Sequence, residues 1–196
     1  MTSYQKRDLF GGAITANTPS NVIDAADLRQ VPDTQEVFLF PDSNISIIVE
    51  ILEKVDASHF EDAVKQVHAS YCHAPKLILV LRFHFASLAH DNSAQSATIE
   101  SVAVIPNDRG DATPSAIVLV GVQNVPKFNH STPDEVLILL ALYRLEQKNV
   151  DLVVTFNIPT ASSDGGAVSR EGAEVARSQF DALVRSLHIV DFGLFV

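Results

Sequence analysis

The side chains able to do chemistry in this sequence are few and badly spaced for it. Cys72-His73 sets a thiol beside an imidazole, but adjacent residues on a helix point about 100° apart and do not face each other. His84 and His90 lack the i,i+4 spacing of a helical metal pair, and no HExxH occurs; the pattern fits packing and surface histidines. Ser162-Ser163-Asp164 adjoins Gly165-Gly166 in a polar loop, without the GxSxG elbow of a hydrolase. Gly11-Gly12 is no phosphate loop, because no Gly-Lys-Ser/Thr follows and no GxGxxG is present. Asn44-Ile45-Ser46 and Asn129-His130-Ser131 match the glycosylation pattern. That modification needs the secretory route, and Met1-Thr2-Ser3-Tyr4-Gln5-Lys6-Arg7-Asp8 lacks the apolar run of a signal peptide. The single cysteine excludes an internal disulfide and a multi-cysteine zinc cluster. The expectation is a non-enzyme with no catalytic residue, no metal and no cofactor.

The elements that would position these groups follow from local pattern. Leu9-Phe10-Gly11-Gly12-Ala13-Ile14 predicts a tight hairpin with a two-residue turn, at least one glycine at positive φ. Asp24 starts a short helical turn within 22–29 as its N-cap, and Pro32 bars its continuation. Residues 36–40 and 45–55 predict two strands joined through Pro41-Asp42-Ser43-Asn44. In the second, Ile45, Ile47, Val49 and Ile51 share one face at the period of two. Ser58-His59-Phe60-Glu61 fits a capping box, with Asp56 the alternative cap, and Phe60, Ala63, Val64, Val67 and Tyr71 form a helical stripe.

Further along, the apolar run 76–85 fits either a buried strand or a second helix, since periodicity does not separate the two. Residues 98–105, 115–123 and 152–157 read as strands rich in β-branched side chains. Thr132-Pro133-Asp134-Glu135 looks like a helix start, yet the continuous apolarity of 136–145 favours a buried strand. A final helix over 171–188 buries Ala176, Phe180, Leu183, Val184 and Leu187. Its far face carries the i,i+4 pairs Arg177–Asp181 and Asp181–Arg185, and the apolar tail 189–196 docks. No repeat or linker divides the chain, so one domain spanning 1–196 is expected. Its class is α+β, a largely antiparallel sheet covered by helices.

Composition narrows the function. Hydrophobic residues make up 46% and charged residues 19% of 196 residues, a globular composition long enough to bury a full core. The net charge of −10 argues against nucleic acid or an anionic membrane as partner, and no apolar run is long enough to span a bilayer. Between Ser20 and Gln66 ten acids face three bases (Arg29, Lys54 and Lys65), a local net charge of −7. A basic protein surface is the natural complement of such a field; the plainer reading is a solvated face.

Several blocks together are distinctive. Leu9-Phe10-Gly11-Gly12-Ala13-Ile14, then Ile23-Asp24 and Leu28-Arg29-Gln30-Val31-Pro32-Asp33-Thr34-Gln35-Glu36-Val37, precede Ser46-Ile47-Ile48-Val49-Glu50-Ile51-Leu52-Glu53 and Phe83-His84-Phe85. Asp151-Leu152-Val153-Val154-Thr155-Phe156-Asn157-Ile158-Pro159 and Asp191-Phe192-Gly193-Leu194-Phe195 follow in order. This series resembles the Ran guanine nucleotide release factor (Mog-type) family. The resemblance implies an antiparallel sheet of about six strands between helices, a three-layer α/β/α arrangement shared with PsbP proteins. It implies binding to the small GTPase Ran and promotion of guanine nucleotide release, in the nucleus and cytoplasm. The alternative is a Ran-pathway scaffold that binds without accelerating release. The partner expected is Ran, with no nucleic acid and no membrane, and the protein a monomer.

The family's Ran-binding acids lie in the VPDTQEV block, which by motif position are Asp33 and Glu36. Both fall in the acidic quarter, where Asp24, Asp27, Arg29 and Glu53 complete the expected contact set. The alternative role for Arg29 is to orient these acids through a salt bridge. Read without the family, Asp33 is turn chemistry after Pro32 and Glu36 a solvated strand end. The stretch 67–82 has no counterpart in the family pattern and reads as an insertion.

Overall fold

Two long apolar runs take different conformations. In the computed structural model, which describes residues 3–56, 75–127, 132–163 and 165–195, the first run is helix α1 (Pro75–Asp91) and the second is the middle of a strand. Among the described residues the strands are β1 (Tyr4–Leu9), β2 (Ile14–Pro19), β3 (Ile23–Asp24), β4 (Gln35–Leu39), β5 (Ser46–Glu53), β6 (Ser96–Ile105), β7 (Ala116–Val125), β8 (Asp134–Leu145), β9 (Val150–Ala161) and β10 (His188–Ile189). Helix α2 (Arg170–Ser186) precedes β10.

Seven strands form one antiparallel sheet in the order β3-β4-β5-β9-β8-β7-β6, and β1-β2-β10 form a smaller one. One face of the large sheet packs under α1, where Val80, Leu81 and Phe85 meet Leu119, Ile138, Leu140 and Leu142. The other packs under α2 and the small sheet, where Phe180, Leu183, Leu9 and Ile14 meet Phe38, Val49, Leu139 and Phe156. The result is α+β with the sheet between helical layers, and its seven strands are close to the expected number.

This layering explains the two apolar runs. Every residue from Leu137 to Tyr143 is buried, because β8 is covered on both faces and successive side chains enter opposite cores. In α1 the consecutive Ile78, Leu79, Val80 and Leu81 are buried around a full turn, and beyond them His84 and Phe85 stay buried while Arg82, Phe83, Ala86 and Ser87 are exposed, the one-sided burial of a helix. Residues 76–82, placed within the expected insertion, therefore supply core side chains. The Ser58 helix, Cys72-His73 and Asn129-His130-Ser131 lie outside the described residues, as does Asp164 of the serine loop. No helix among the described residues is long and apolar enough to cross a membrane.

Three local expectations change. The β1–β2 connection has four residues rather than two, because Leu9 pairs with Ile14 and Phe10–Gly12 wind into a 3₁₀ turn. Its φ values are +49° at Phe10, +65° at Gly11 and +93° at Gly12, so the positive φ expected of the glycines extends to a phenylalanine. The last helix stops at Ser186, and His188 pairs with Thr15 in β10 instead. Arg177 turns to Glu174 and Glu100, each at 3.7 Å, instead of Asp181, whose carboxylate is held by Arg185 at 2.8 Å. Glu100 on neighbouring β6 competes for Arg177, a partner no sequence spacing reveals.

Candidate functional site

The acids expected to meet a partner sit at the β3–β4 edge of the large sheet. Asp24 ends β3 opposite Phe38 of β4 and caps a 3₁₀ turn, Ala25–Asp27, its Oδ1 accepting the Ala26 N–H at 2.9 Å. An aspartate serves there because its short carboxylate reaches an N–H otherwise left without a partner. The Ala25–Asp27 turn that follows lies against β4, the strand that carries Glu36. A tight turn closed by the Gln35 N–H to Pro32 O bond, 2.9 Å, puts Asp33 at its exposed corner. Asp27, Arg29 and Asp33 are exposed and make no side-chain hydrogen bond or ion pair among the described residues. The alternative role of Arg29, a salt bridge to these acids, is thus not seen among the described residues.

Glu36 behaves differently from a solvated strand end. It is half-buried, and its Oε1 accepts the Phe10 N–H at 2.6 Å. Burial raises its carboxyl above the ordinary glutamate value. The Phe10 N–H opposes that rise, Asp24 adds to it and Arg7 counters it. Arg7 also lies over the Phe38 ring, 4.8 Å from its centroid, and donates from Nε to Thr18 Oγ1 at 3.3 Å. Arg7, Phe10 and Phe38 were not picked out as site residues. Only the LFGG block hinted at a constraint there, and it gave no partner. Glu53 stands apart: Glu36 faces Val49 across the strands, and Glu53 lies four residues farther along β5, roughly 13 Å at strand spacing.

A model of the family described as "Ran-interacting Mog1 protein" matches residues 7–159. The chain belongs to the Mog1 family. It is 33% identical to the Ran guanine nucleotide release factor of Danio rerio, over 96% of this chain and 98% of that protein. The Homo sapiens protein of the same name is 34% identical, over 95% and 94%. The nuclear import protein MOG1 of Saccharomyces cerevisiae is 30% identical, over 96% and 83%. The crystal structure of the Saccharomyces cerevisiae Ran-binding protein Mog1p superposes with a TM-score of 0.67 at 26% identity, covering both chains completely. The described residues thus share the Mog1 fold.

A second polar cluster lies on the opposite side of this Mog1-type sheet. Asp151, fully buried, accepts from His84 Nε2 at 3.1 Å and from the Val55 N–H at 3.0 Å through Oδ2. Arg144 donates to Val55 O, pairs with Glu146 at 3.0 Å and stands 3.8 Å from Asp151 Oδ1. The cluster ties α1, the exit of β5, β8 and β9 together. Its His–Asp pair has no hydroxyl or thiol in hydrogen-bond reach among the described residues, so the geometry supports a structural clasp. The signal in the sequence was an aspartate heading the apolar Leu152-Val153-Val154 and a histidine inside the apolar run of α1.

A cleft of about 450 Å³ opens beside this clasp, lined by Ala112, Pro114, Arg144, Leu145, Glu146, Gln147, Lys148 and Phe192. No serine, threonine or cysteine is among these lining residues, and Glu146 is already ion-paired to Lys54 and Arg144. Among the described residues no three His, Cys, Asp or Glu side chains are grouped to hold a metal ion.

Proposed function

We propose that this chain, acting as one domain over 1–196, binds the small GTPase Ran through its acidic β3–β4 edge and promotes release of bound guanine nucleotide. In this way it supports protein transport between nucleus and cytoplasm. The observation that carries the reading is a pair of exposed carboxylates with no partner among the described residues, Asp27 and Asp33, displayed at a sheet edge of a Mog1-family protein. Asp24, Arg29 and Glu36 flank them, Glu36 offering Oε2 while Oε1 holds Phe10. A standard interface buries about 800 Å² per partner, broad enough to take Glu53 at its margin.

The role needs no bond chemistry. A release factor binds nucleotide-free GTPase more tightly than loaded GTPase, and by linkage it weakens nucleotide affinity by the same factor. The names of its relatives, Ran guanine nucleotide release factor and nuclear import protein, support this reading. The test is the dissociation of fluorescent guanine nucleotide from purified Ran with and without the chain. Acceleration is expected. Binding without acceleration leaves a Ran-binding scaffold, and absence of binding overturns the reading.

A further inference from the structure

Leu28 is the most exposed large apolar side chain among the described residues, at 65%, and Ile23 on adjoining β3 is 38% exposed. Exposed leucines are common on protein surfaces, so exposure alone says little. What sets Leu28 apart is the rigidity of its support. Leu28 and Arg29 both donate their N–H to Ala25 O, at 3.0 and 2.9 Å, Asp24 caps the same turn, and Ala25 and Val22 are buried in the core. The backbone is held at each step while the side chain is presented to solvent. Ordering that a partner would otherwise impose on binding is already in place.

The surroundings complete the pattern. Asp24 and Asp27 precede Leu28 in the turn, the turn lies against β4, which carries Glu36, and Arg29 follows Leu28 as the nearest base in sequence. An apolar centre ringed by charged groups is the anatomy of a protein interface, in which a few central side chains carry most of the energy. Val104, exposed to 54%, lies on β6 at the opposite edge of the large sheet, and Phe83 and Val175 lie on the two helices.

We infer that Leu28, with Ile23 beside it, is the apolar anchor of the acidic edge. Its occupant is Ran, presenting an apolar socket within a basic patch. The local net charge of −7 supplies the complementarity that selects a basic partner. This inference rests on the Ran-binding reading above.

The test uses the full chain and purified Ran at low and high salt, comparing the parent with Leu28→Ala, Leu28→Met and Asp27→Asn. Leu28→Ala is expected to weaken binding at least tenfold at both salt concentrations, chiefly through faster dissociation, with melting temperature unchanged. Leu28→Met, which keeps the apolar area, is expected to stay within about threefold of the parent. Asp27→Asn is expected to slow association mainly at low salt. Parent binding with Leu28→Ala unaffected overturns the anchor alone. Equal losses in Leu28→Ala and Leu28→Met also overturn it, since turn geometry rather than apolar contact would then matter. A parent that does not bind Ran overturns both the anchor and the function it rests on.

Discussion

Glu36 on β4 holds the N–H of Phe10, 26 residues away, at 2.6 Å, and so pins a hairpin turn in which phenylalanine itself takes φ +49°. Positive φ at a non-glycine residue is costly and persists where surrounding contacts impose it. The carboxylate that the family resemblance marks for partner binding is therefore also part of the fold.

Glu36→Ala is expected to destabilise the protein by about 1–3 kcal/mol, because it leaves the Phe10 N–H without its acceptor. Glu36→Gln keeps an acceptor oxygen and should fold well. Because burial raises the Glu36 carboxyl above 4.5, the folded state holds the proton more tightly than the unfolded chain. The stability of the parent relative to Glu36→Gln should therefore be highest below pH 4.5. It should decline as pH rises through the folded-state value and then level off. Urea unfolding of both proteins from pH 4 to pH 7 reads this difference directly.

Separating charge from scaffold makes the partner test cleaner. Asp33→Ala combined with Glu36→Gln is expected to weaken Ran binding by about 2–5 kcal/mol while the fold is retained. Asp33 bonds to nothing among the described residues, so its loss should cost the free protein within about 0.5 kcal/mol. Titration against Ran, with melting curves of the same samples, checks both halves. Unchanged affinity would move the contact elsewhere on the acidic face.

The clasp around Asp151 should matter for stability rather than for binding. Asp151→Ala leaves His84 and the Val55 N–H without their shared acceptor in a buried site and removes the carboxylate 3.8 Å from Arg144, and is expected to cost about 3–5 kcal/mol. Asp151→Asn should cost less, since an amide oxygen still accepts one bond. Chemical denaturation measures the loss, and Ran affinity at a temperature where the variant is folded should remain near the parent value.

Gly121 on β7 has no room for a methyl group. A Cβ there would sit 2.7 Å from Phe85 Cζ and 2.8 Å from Thr98 O, so Gly121→Ala is expected to destabilise by about 1–3 kcal/mol. Phe85→Leu should recover part of the loss in the double variant, a coupling that a double-mutant cycle in urea would show. Additive costs would mean that the Thr98 carbonyl, not the phenyl ring, sets the limit.

Much of this protein was legible residue by residue. The Asp24 cap, the glycine turn, the alternation of β5 and the stripe of α2 depend on neighbours within a few positions, and local spacing reports them. The acidic quarter is a property of composition, and the family resemblance picked out Asp33 and Glu36 within it. Tertiary structure decided the rest. Residues 76–85 and 136–145 are both rich in apolar side chains, and the tertiary setting separates them: 136–145 is covered on both faces as β8, while α1 packs on one of those faces. Arg177 found Glu100 across the sheet, and His84 found Asp151 across 67 residues. Glu36 became half-buried because the β1–β2 hairpin folds over β4, an event that no window of sequence around Glu36 contains. Desolvation and long-range pairing depend on which segments meet in space, and so they appear only once the chain has folded.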